Sequence, residues 1–502
     1  MAPPVKEQTP SNGLVRAKQI SVLFALVLAS SGVNIAAADS PVPAPHSAKE
    51  IWIGSTAAAF GRGQSATAPL DGSTRAKVDE ILEDLRIEYG DYGAGVTIHF
   101  LPGRYEVGGI GIRPRWQLRG AGIDRTILKR VAAPRDFLLK NPILHVIEGG
   151  GGPQQKPPLS GPHLPERDYV GIHISGMTLD CNWDGLKASI GSPLKKAGGL
   201  SVVCKEGVIE KVKVINFGAQ GGRPSWREVF PIHLRSSLTD NLGAPGYATS
   251  RLQIFGCEVV GPVRGPSTGI EWPYCTGIMI GHREADPTLA EVTAIVRGNE
   301  IRDVTNGHAF GGAHLRQALF ESNRVVNCGL GFNFDTGGSR NVTIRANDFV
   351  NCIGGGTLTD ATSFIIQSNR FEIRYNATEL PWWNTGVRLW SHTRQCTVSD
   401  NTFTLVPGYE PTPAAETFGI RVHGTNVGVL WTQSTSGDWS HSPQPHRIEN
   451  NHIHADLPNQ IGPQDIGNWL YAIVDGREVA LSGQPGQAQG AVFSWRGSLS
   501  NP

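Results

Sequence analysis

The sequence predicts an all-β solenoid of stacked coils, and its repeats and its composition are the two observations that predict it. A short segment that starts with asparagine and ends in a turn, here called an asparagine phrase, recurs along the chain. It begins at Asn299, Asn323, Asn347 and Asn369, at spacings of 24, 24 and 22 residues. Further copies begin at Asn401 and Asn451. The 502 residues include 62 Gly and 34 Pro but only 3 Met, which favours strands and turns over a helical bundle.

The recurring asparagine indicates how the coils stack. A coil of about 22 to 24 residues has room for roughly three short strands and three turns. Asparagine tolerates the left-handed backbone of a tight turn, and amides stacked at ~4.8 Å can hydrogen-bond to one another. Cys328 and Cys352 are also 24 residues apart, so we expect them to stack as small buried side chains. The pattern resembles the right-handed, single-stranded parallel β-helix with an internal asparagine ladder.

The N-terminus is interpreted as a secretory signal peptide covering residues 1–38. Arg16 and Lys18 precede an apolar run from Ile20 to about Val33, and three alanines end at Ala38. The alternative is a buried N-terminal helix. No other run approaches the length of a membrane span. We therefore expect a secreted or periplasmic protein with no membrane association after cleavage, and a monomer is the favoured state.

Residues 39–68 are rich in Pro, Ala and Ser and are interpreted as a lead-in to a β-helix domain over residues 69–454. The segment from Val78 to Leu85 has apolar residues at helical spacing, with Asp71 or Ser73 as its start. A single amphipathic helix in front of a solenoid is typical of a cap over the open end of the first coil.

Two phrases after the cap carry a resemblance to a known family. They are "VTIHFLPGRYEV" at residues 96–107 and "WQLRGAGIDRTILKR" at residues 116–130. Together with the capping helix they resemble the opening of the pectate lyase superfamily, although only Asp71-Gly72-Ser73 remains of its acidic Gly-Asp-Gly run. The resemblance implies the β-helix fold, which carries lyases, hydrolases, epimerases and spike proteins alike.

Long inserts between the coils are expected to project from one face and to wall a groove. Trp382 and Trp383 lie in one of these inserts, and exposed indole rings suit stacking on the apolar faces of sugars. The alternative is that these rings only hold the loops against the barrel.

Period-two alternation in the strands after the asparagine phrases predicts which side chains face outward. The predicted outer residues are His233, Arg235, Asn333, Asp335, Arg388, Trp390, Arg421 and His423. Asp360 is expected one coil beyond Asp335, with the two carboxylates ~5–8 Å apart.

This set of residues suggests chemistry on uronate sugars. Arginine and histidine side chains would hold a uronate carboxylate by charge-assisted hydrogen bonds. In β-elimination Arg388 or His423 would be the base, while Asp335 and Asp360 would bind a calcium ion or supply the acid. In a hydrolase the same two aspartates would flank the scissile bond, but the motifs typical of polygalacturonases are missing. Solvated surface charges are the third interpretation.

A weaker metal hypothesis concerns Asp180, Asn182 and Asp184, which alternate as in an EF-hand loop. The bidentate glutamate is missing because Gly191 occupies its position, so a polar turn after the strand Met177–Leu179 is the competing interpretation. Seven cysteines allow a Cys328–Cys352 bridge, but stacked thiols are favoured, and the absence of a Cys/His cluster argues against zinc.

Residues 455–502 are interpreted as a C-terminal cover, with a hairpin around Asp475-Gly476. A net charge of +1 predicts no nucleic-acid partner. The sequence therefore favours a secreted polysaccharide lyase acting on uronate-containing glycans. A glycoside hydrolase or epimerase of the same substrates is the first alternative, and a non-catalytic glycan-binding or spike-like protein is the second.

Overall fold

The computed structural model describes residues 49–56, 60–90, 95–139, 141–149, 170–219, 228–236, 248–261, 275–281, 290–305, 307–336, 338–374, 385–390, 393–405, 415–417, 420–422, 426–432, 447–455, 471–474, 477–480 and 498–500. All of them fall within one compact unit, residues 44–502. The predicted signal peptide lies outside the described residues.

Strands dominate the described chain. The first nineteen are β1 (Lys49–Gly54), β2 (Leu70–Asp71), β3 (Val96–Phe100), β4 (Gly103–Val107), β5 (Ile110–Gly111), β6 (Gln117–Gly120), β7 (Thr126–Arg130), β8 (Ile143–Gly149), β9 (Ile172–Asp180), β10 (Lys196–Cys204), β11 (Glu206–Ile215), β12 (Gly218–Ala219), β13 (Ile232–Ser236), β14 (Ala248–Phe255), β15 (Glu258–Val260), β16 (Cys275–Gly281), β17 (Ala290–Arg297), β18 (Glu300–Arg302) and β19 (Gly307–Ala313).

The remaining strands are β20 (Leu315–Glu321), β21 (Arg324–Val326), β22 (Leu330–Thr336), β23 (Val342–Arg345), β24 (Asp348–Cys352), β25 (Gly354–Thr359), β26 (Ile365–Gln367), β27 (Arg370–Ile373), β28 (Thr385–Trp390), β29 (Thr397–Ser399), β30 (Thr402–Leu405), β31 (Ala415–Thr417), β32 (Ile420–Val422), β33 (Asn426–Thr432), β34 (Arg447–Glu449), β35 (His452–Ala455), β36 (Tyr471–Val474), β37 (Arg477–Ala480) and β38 (Ser498–Ser500). The helices are α1 (Arg75–Tyr89), α2 (Trp183–Ile190) and a 3-10 turn at Pro134–Leu138.

Each regular coil contributes two strands to a 23-stranded sheet and one strand to a 13-stranded sheet. β17, β18 and β19 form one such coil, and each pairs in parallel with its counterpart in the next coil, β20, β21 and β22. The same pairing continues to β23, β24 and β25. This stacking of three-stranded coils is a parallel β-helix, so the fold predicted from the asparagine repeat is confirmed.

The asparagine ladder runs through the interior of the helix. The Oδ1 atom of each asparagine from Asn323 to Asn451 accepts from the backbone N–H and the Nδ2–H of the previous ladder asparagine, at 2.9–3.1 Å. Each Nδ2 also donates to a backbone carbonyl, as Asn347 does to Phe320. The expected left-handed backbone lies one residue earlier, at positions such as Ser322 and Ala346, because the ladder asparagine itself points inward.

Aromatic rings and thiols stack beside the ladder. Phe349, Phe371 and Phe403 lie face to face in successive coils, with ring centroids 4.7 and 4.9 Å apart. All seven cysteines are present as buried thiols, so the predicted Cys328–Cys352 stack contains no disulfide. Both columns follow from a repeat that places the same residue type at one position of each coil.

The N-terminal cap differs from the sequence prediction in two details. Helix α1 buries Val78, Leu82 and Leu85, but its N-cap is Thr74, whose side chain accepts from the backbone N–H of Lys77, rather than Asp71 or Ser73. Strand β1 pairs in parallel with β3, so the sheet begins inside the segment interpreted as a lead-in. Neither helix in the described part of the chain is long and apolar enough to cross a membrane.

The predicted C-terminal hairpin is present. β36 and β37 pair antiparallel on either side of residues 475–476, and β36 also pairs in parallel with β33. β38 pairs in parallel with β35. The segment interpreted as a cover therefore adds strands to both main sheets.

Replacing one ladder asparagine is predicted to destabilise the whole solenoid. The side chain of Asn347 makes four hydrogen bonds in a buried site. Asn347→Ala should lower the free energy of unfolding by about 3 kcal/mol or more, because each lost bond leaves a buried polar group unpaired. Urea denaturation measures this loss. Arg324→Ala, at an exposed neighbouring site, is the control and should change stability by less than about 1 kcal/mol.

The thiols are predicted to be protected in the native protein. Burial raises the pKa of the Cys352 thiol to about 12, so the reactive thiolate is scarce and inaccessible. A thiol-specific reagent should label none of the seven cysteines rapidly in native protein and all seven after denaturation without reductant. Fewer than seven labelled residues after denaturation would contradict the thiol assignment and indicate a disulfide.

Candidate functional site

In several strands of the 13-stranded sheet, two consecutive inward residues determine which side chains face outward. Two consecutive residues point into the core, as Val146 and Ile147 do in β8 and Ala309 and Phe310 do in β19. A Cβ added at Gly331 would meet the Phe349 ring at 2.3 Å, so the same holds for Gly331 and Phe332 in β22. The residues before and after each inward pair therefore both face outward.

The outward residue after each inward pair forms a continuous line along the helix axis, here called the central row. Its members are Glu148, Ser201, His233, Met279, Gly311, Asn333, Thr357 and Arg388. Neighbours in this row belong to adjacent strands and lie ~4.8 Å apart. The row has a cation at its far end and two small residues, Gly311 and Thr357, on either side of Asn333.

A buried chain of polar side chains lies beside the middle of this row. The hydroxyl of Thr276 contacts the Oε1 atom of Glu228 and lies 3.2 Å from Nδ1 of His308. The other ring nitrogen, Nε2, lies 3.2 Å from Nδ2 of Asn333. Thr276 is 1%, His308 3% and Glu228 9% exposed. Such burial on an outer sheet face is typical of a shielded site rather than of a solvated surface.

Arg388 occupies the central row two strands beyond Asn333, or ~10 Å along the axis. Its side chain is only 7% exposed. Burial lowers the pKa of Arg388 to about 10, so the guanidinium still carries its charge at neutral pH. A shielded guanidinium interacts more strongly with a carboxylate than one in bulk water.

The N-terminal part of the same face carries basic side chains as well as Glu148 of the central row. His233 lies in the central row, with its ring 4.6 Å from that of Phe230. Arg235 lies two residues further along β13. His145 faces outward from β8, and Lys196 donates to the backbone carbonyl of Glu228. Burial, together with Arg235, Lys196 and Arg130, lowers the pKa of His145 to about 3, so this ring is neutral at ordinary pH.

The structure brings only part of the predicted site together. His233, Arg235, Asn333 and Arg388 lie on strands of one sheet. The prediction for Arg421 is wrong, because β32 pairs antiparallel with β31 in a separate two-stranded sheet and the next strand after β28 is β33.

The other predicted residues are described less fully. Asp335 and Trp390 have backbones in β22 and β28, and their side chains lie outside the described residues. His423, Trp382 and Trp383 also lie outside them. Asp360 directly follows β25, with a left-handed φ of 52°.

The predicted calcium loop is a hydrogen-bonded turn that leads into a helix. The carboxylate of Asp180 accepts from Arg104, from the backbone N–H of Asn182 and from Asn216, at 2.9–3.0 Å. Asn182 is the N-cap residue of α2, and Asp184 is exposed in its first turn. Within the described ranges, no group of three or more His, Cys, Asp or Glu side chains is arranged to bind a metal ion. The competing interpretation of a polar turn fits these contacts.

Glu228, Thr276 and His308 are residues that the sequence reasoning missed. Strict alternation gives His308 the same orientation as Phe310, which lies in the core. The inward pair Ala309-Phe310 shifts the phase and turns His308 outward. One sequence feature could have located His308. The segment "GHAF" at residues 307–310 directly follows the Asn299 phrase, and the next coil has a strand of the 13-stranded sheet at the matching position.

Acidification is predicted to destabilise the protein partly through His145. Its pKa is lowered from 6.5 to about 3 in the native state, so below pH 6.5 the unfolded chain binds a proton that the native chain does not. Protonation of His145 in the unfolded chain should therefore lower the free energy of unfolding by about 1–2 kcal/mol between pH 7 and pH 5. Urea midpoints of wild type and His145→Gln at both pH values measure it. An equal acid-induced loss in the two proteins would contradict the prediction.

Comparisons with known proteins concern the fold. Residues 277–406 match the family model described as a right handed beta helix region. The mannuronan C-5 epimerase AlgE6 A-module of Azotobacter vinelandii is 13% identical, with 84% of this chain and 95% of that chain covered and a TM-score of 0.39.

Two other solved structures are similarly distant. The Dettilon tailspike protein is 13% identical, with coverages of 88% and 68% and a TM-score of 0.46. The Streptococcus pneumoniae surface adhesin PfbA is 12% identical, with coverages of 82% and 91% and a TM-score of 0.42. No curated protein sequence matches the chain significantly. Its parallel coils and the family match together make this chain a right-handed parallel β-helix protein, consistent with its resemblance to the pectate lyase superfamily.

Proposed function

We propose that the central row binds a uronate-containing polysaccharide and that the protein cleaves this glycan by β-elimination with His308 as the base. The observation that carries the proposal is the position of His308. Its Nε2 atom faces Asn333 of the central row, while its Nδ1 atom is held by Thr276. Histidine is the side chain most suited to proton abstraction near neutral pH.

The charges along the face support an acidic ligand. Arg235 lies on β13, two strands before the strand of His308, and Arg388 lies on β28, three strands after it. These separations correspond to ~10 and ~14 Å along the axis. A glycan lying along the row would therefore place carboxylates near a guanidinium on each side of the base. Guanidinium groups bind carboxylates in a planar, two-point geometry.

The proposed reaction uses His308 at one carbon of the sugar. The bound sugar displaces the amide N–H of Asn333 from Nε2, which then takes the proton from C5, and the electron pair of that C–H bond forms the C4=C5 double bond. The bond from C4 to the glycosidic oxygen breaks, and this oxygen leaves with a proton from an acid. Asp335 and Asp360 keep the role predicted from the sequence, as that acid or as ligands of a calcium ion. Trp382, Trp383 and Trp390 are proposed to stack on sugar rings.

The proposal includes export from the cell, because the N-terminal 38 residues have the pattern of a secretory signal and a polysaccharide is an external substrate. Hydrolysis or C5 epimerisation of the same glycans, and binding without cleavage, are the competing functions. Epimerisation would begin with the same proton abstraction and return the proton to the opposite face.

The test is a cleavage assay with a panel of uronate polysaccharides, with calcium and with a chelator. Wild type should produce ultraviolet absorbance from the unsaturated uronate, and His308→Gln should lower kcat about 10²–10⁴-fold because the base is gone. Arg388→Gln should mainly raise KM, by about tenfold or more, because a charged hydrogen bond is lost. His173→Gln, on the other main sheet, is the matched control and should keep full activity.

Other outcomes of this assay separate the competing functions. New reducing ends without absorbance would replace elimination with hydrolysis. Solvent deuterium incorporated at C5 without chain cleavage would indicate epimerisation. Binding without any chemical change would support the non-catalytic alternative, and full activity of His308→Gln would remove His308 from the proposed role.

A further inference from the structure

We propose that Glu228, Thr276 and His308 form a directed hydrogen-bond relay that keeps Nε2 of His308 unprotonated and facing the central row. This inference rests on the proposed function for its catalytic consequence, but the relay itself is a property of the protein without substrate. Glu228 and Thr276 are positioning residues in this account, because they act on the substrate only through His308.

The direction of the relay follows from the number of protons available. The proposed relay takes Glu228 as ionised: an ionised carboxylate only accepts hydrogen bonds, so the single hydroxyl proton of Thr276 then points to Oε1 of Glu228. The hydroxyl oxygen must then accept from Nδ1–H of His308 across 3.2 Å. A neutral imidazole carries one proton, so Nε2 has a lone pair and accepts from Nδ2–H of Asn333. The tautomer of His308 with its proton on Nδ1 therefore satisfies the three contacts, from Glu228 to Thr276, from Thr276 to His308 and from His308 to Asn333.

Three successive coils assemble this relay. Thr276 and His308 are register partners in β16 and β19, which places their side chains next to each other on the outer face. An isolated parallel bridge joins Val229 to Cys275, and the side chain of Glu228 reaches Thr276 diagonally across this bridge. All three side chains are at least nine-tenths buried, so water competes little for their hydrogen bonds.

The carboxylate of Glu228 is linked to His308 through Thr276, whereas His233 and Arg388 lie two and three strands away. Glu228 is the carboxylate linked to it, and Lys196 donates to the backbone carbonyl of that same glutamate. His233 lies on β13, two strands before His308, and Arg388 lies three strands after it. When Nε2 accepts a proton, the new positive charge is stabilised by Glu228 through Thr276, and no proton needs to move to the carboxylate. This is the arrangement in which a fixed dipole and a buried anion assist a general base.

The first test observes the tautomer directly in the full chain without substrate. Nitrogen NMR of protein labelled with ¹⁵N-histidine, with His308 assigned by its loss in His308→Gln, should show a proton on Nδ1 and none on Nε2. Thr276→Val removes the acceptor and should produce a mixture of tautomers, while Thr276→Ser keeps the hydroxyl and should preserve the wild-type signal. A proton on Nε2 in wild type would overturn the relay.

The second test measures its catalytic consequence with the polysaccharide that the cleavage assay identifies. Glu228→Gln should lower kcat about tenfold or more with little change in KM and should move the acid limb of the pH–rate profile to lower pH. Thr276→Val should behave in the same way and Thr276→Ser should rescue it. Unchanged profiles in both Glu228→Gln and Thr276→Val would overturn the proposal.

The two tests keep the relay and the proposed function distinguishable. A single Nδ1–H tautomer in a protein that shows no cleavage would contradict the proposed elimination and leave the relay standing. Cleavage by a wild-type protein in which Nε2 carries the proton would contradict both the relay and the role of His308 as the base, while elimination with another base would stand. Circular dichroism and the urea midpoint of each variant show whether it is folded, and Thr276→Ser supplies a folded counterpart for Thr276→Val.

Discussion

Everything in this structure depends on the parallel stacking of coils at the spacing of one β-strand. The interior asparagines enforce this spacing, because each side chain is shared between two coils and satisfies backbone and side-chain groups that would otherwise be buried without partners. A coil that slipped by one residue would lose these bonds and turn its apolar face outward. The ladder therefore determines register as well as stability.

The register between neighbouring strands, in turn, brings the residues of the candidate site together. His308 and Asn333 are 25 residues apart in sequence, and their side chains meet because β19 and β22 are neighbours in the sheet. Glu228 lies 48 residues before Thr276, and the two meet by the same stacking. A solenoid can thus assemble a polar site from single residues on separate coils, with no loop required to bring them together. Where two consecutive residues face the core, as Ala309 and Phe310 do in β19, the residues on either side of the pair can both reach this face.

The sequence was sufficient to predict the repeat, because the asparagine period reports directly on a buried hydrogen-bond network. It also predicted that Asn333 and Arg388 share a sheet face, since both follow ladder asparagines in regular coils. It failed where local geometry departs from simple alternation. His308 was missed because two adjacent inward residues shift the phase, and Arg421 was misplaced because a pair of antiparallel strands intervenes before β33. Neither irregularity has a sequence signal that strand periodicity alone can detect.

In the proposed complex, an acidic glycan lies along the central row with its reacting sugar at His308. A crystal structure of His308→Gln with a bound oligouronate would show this placement, because the substitution should stop turnover and preserve the shape of the face. We expect a sugar whose C5 atom lies within contact distance of the side chain at position 308, and a carboxylate of the same glycan chain paired with Arg388. An oligosaccharide bound on the 23-stranded sheet, or one whose reacting carbon is distant from position 308, would contradict this placement.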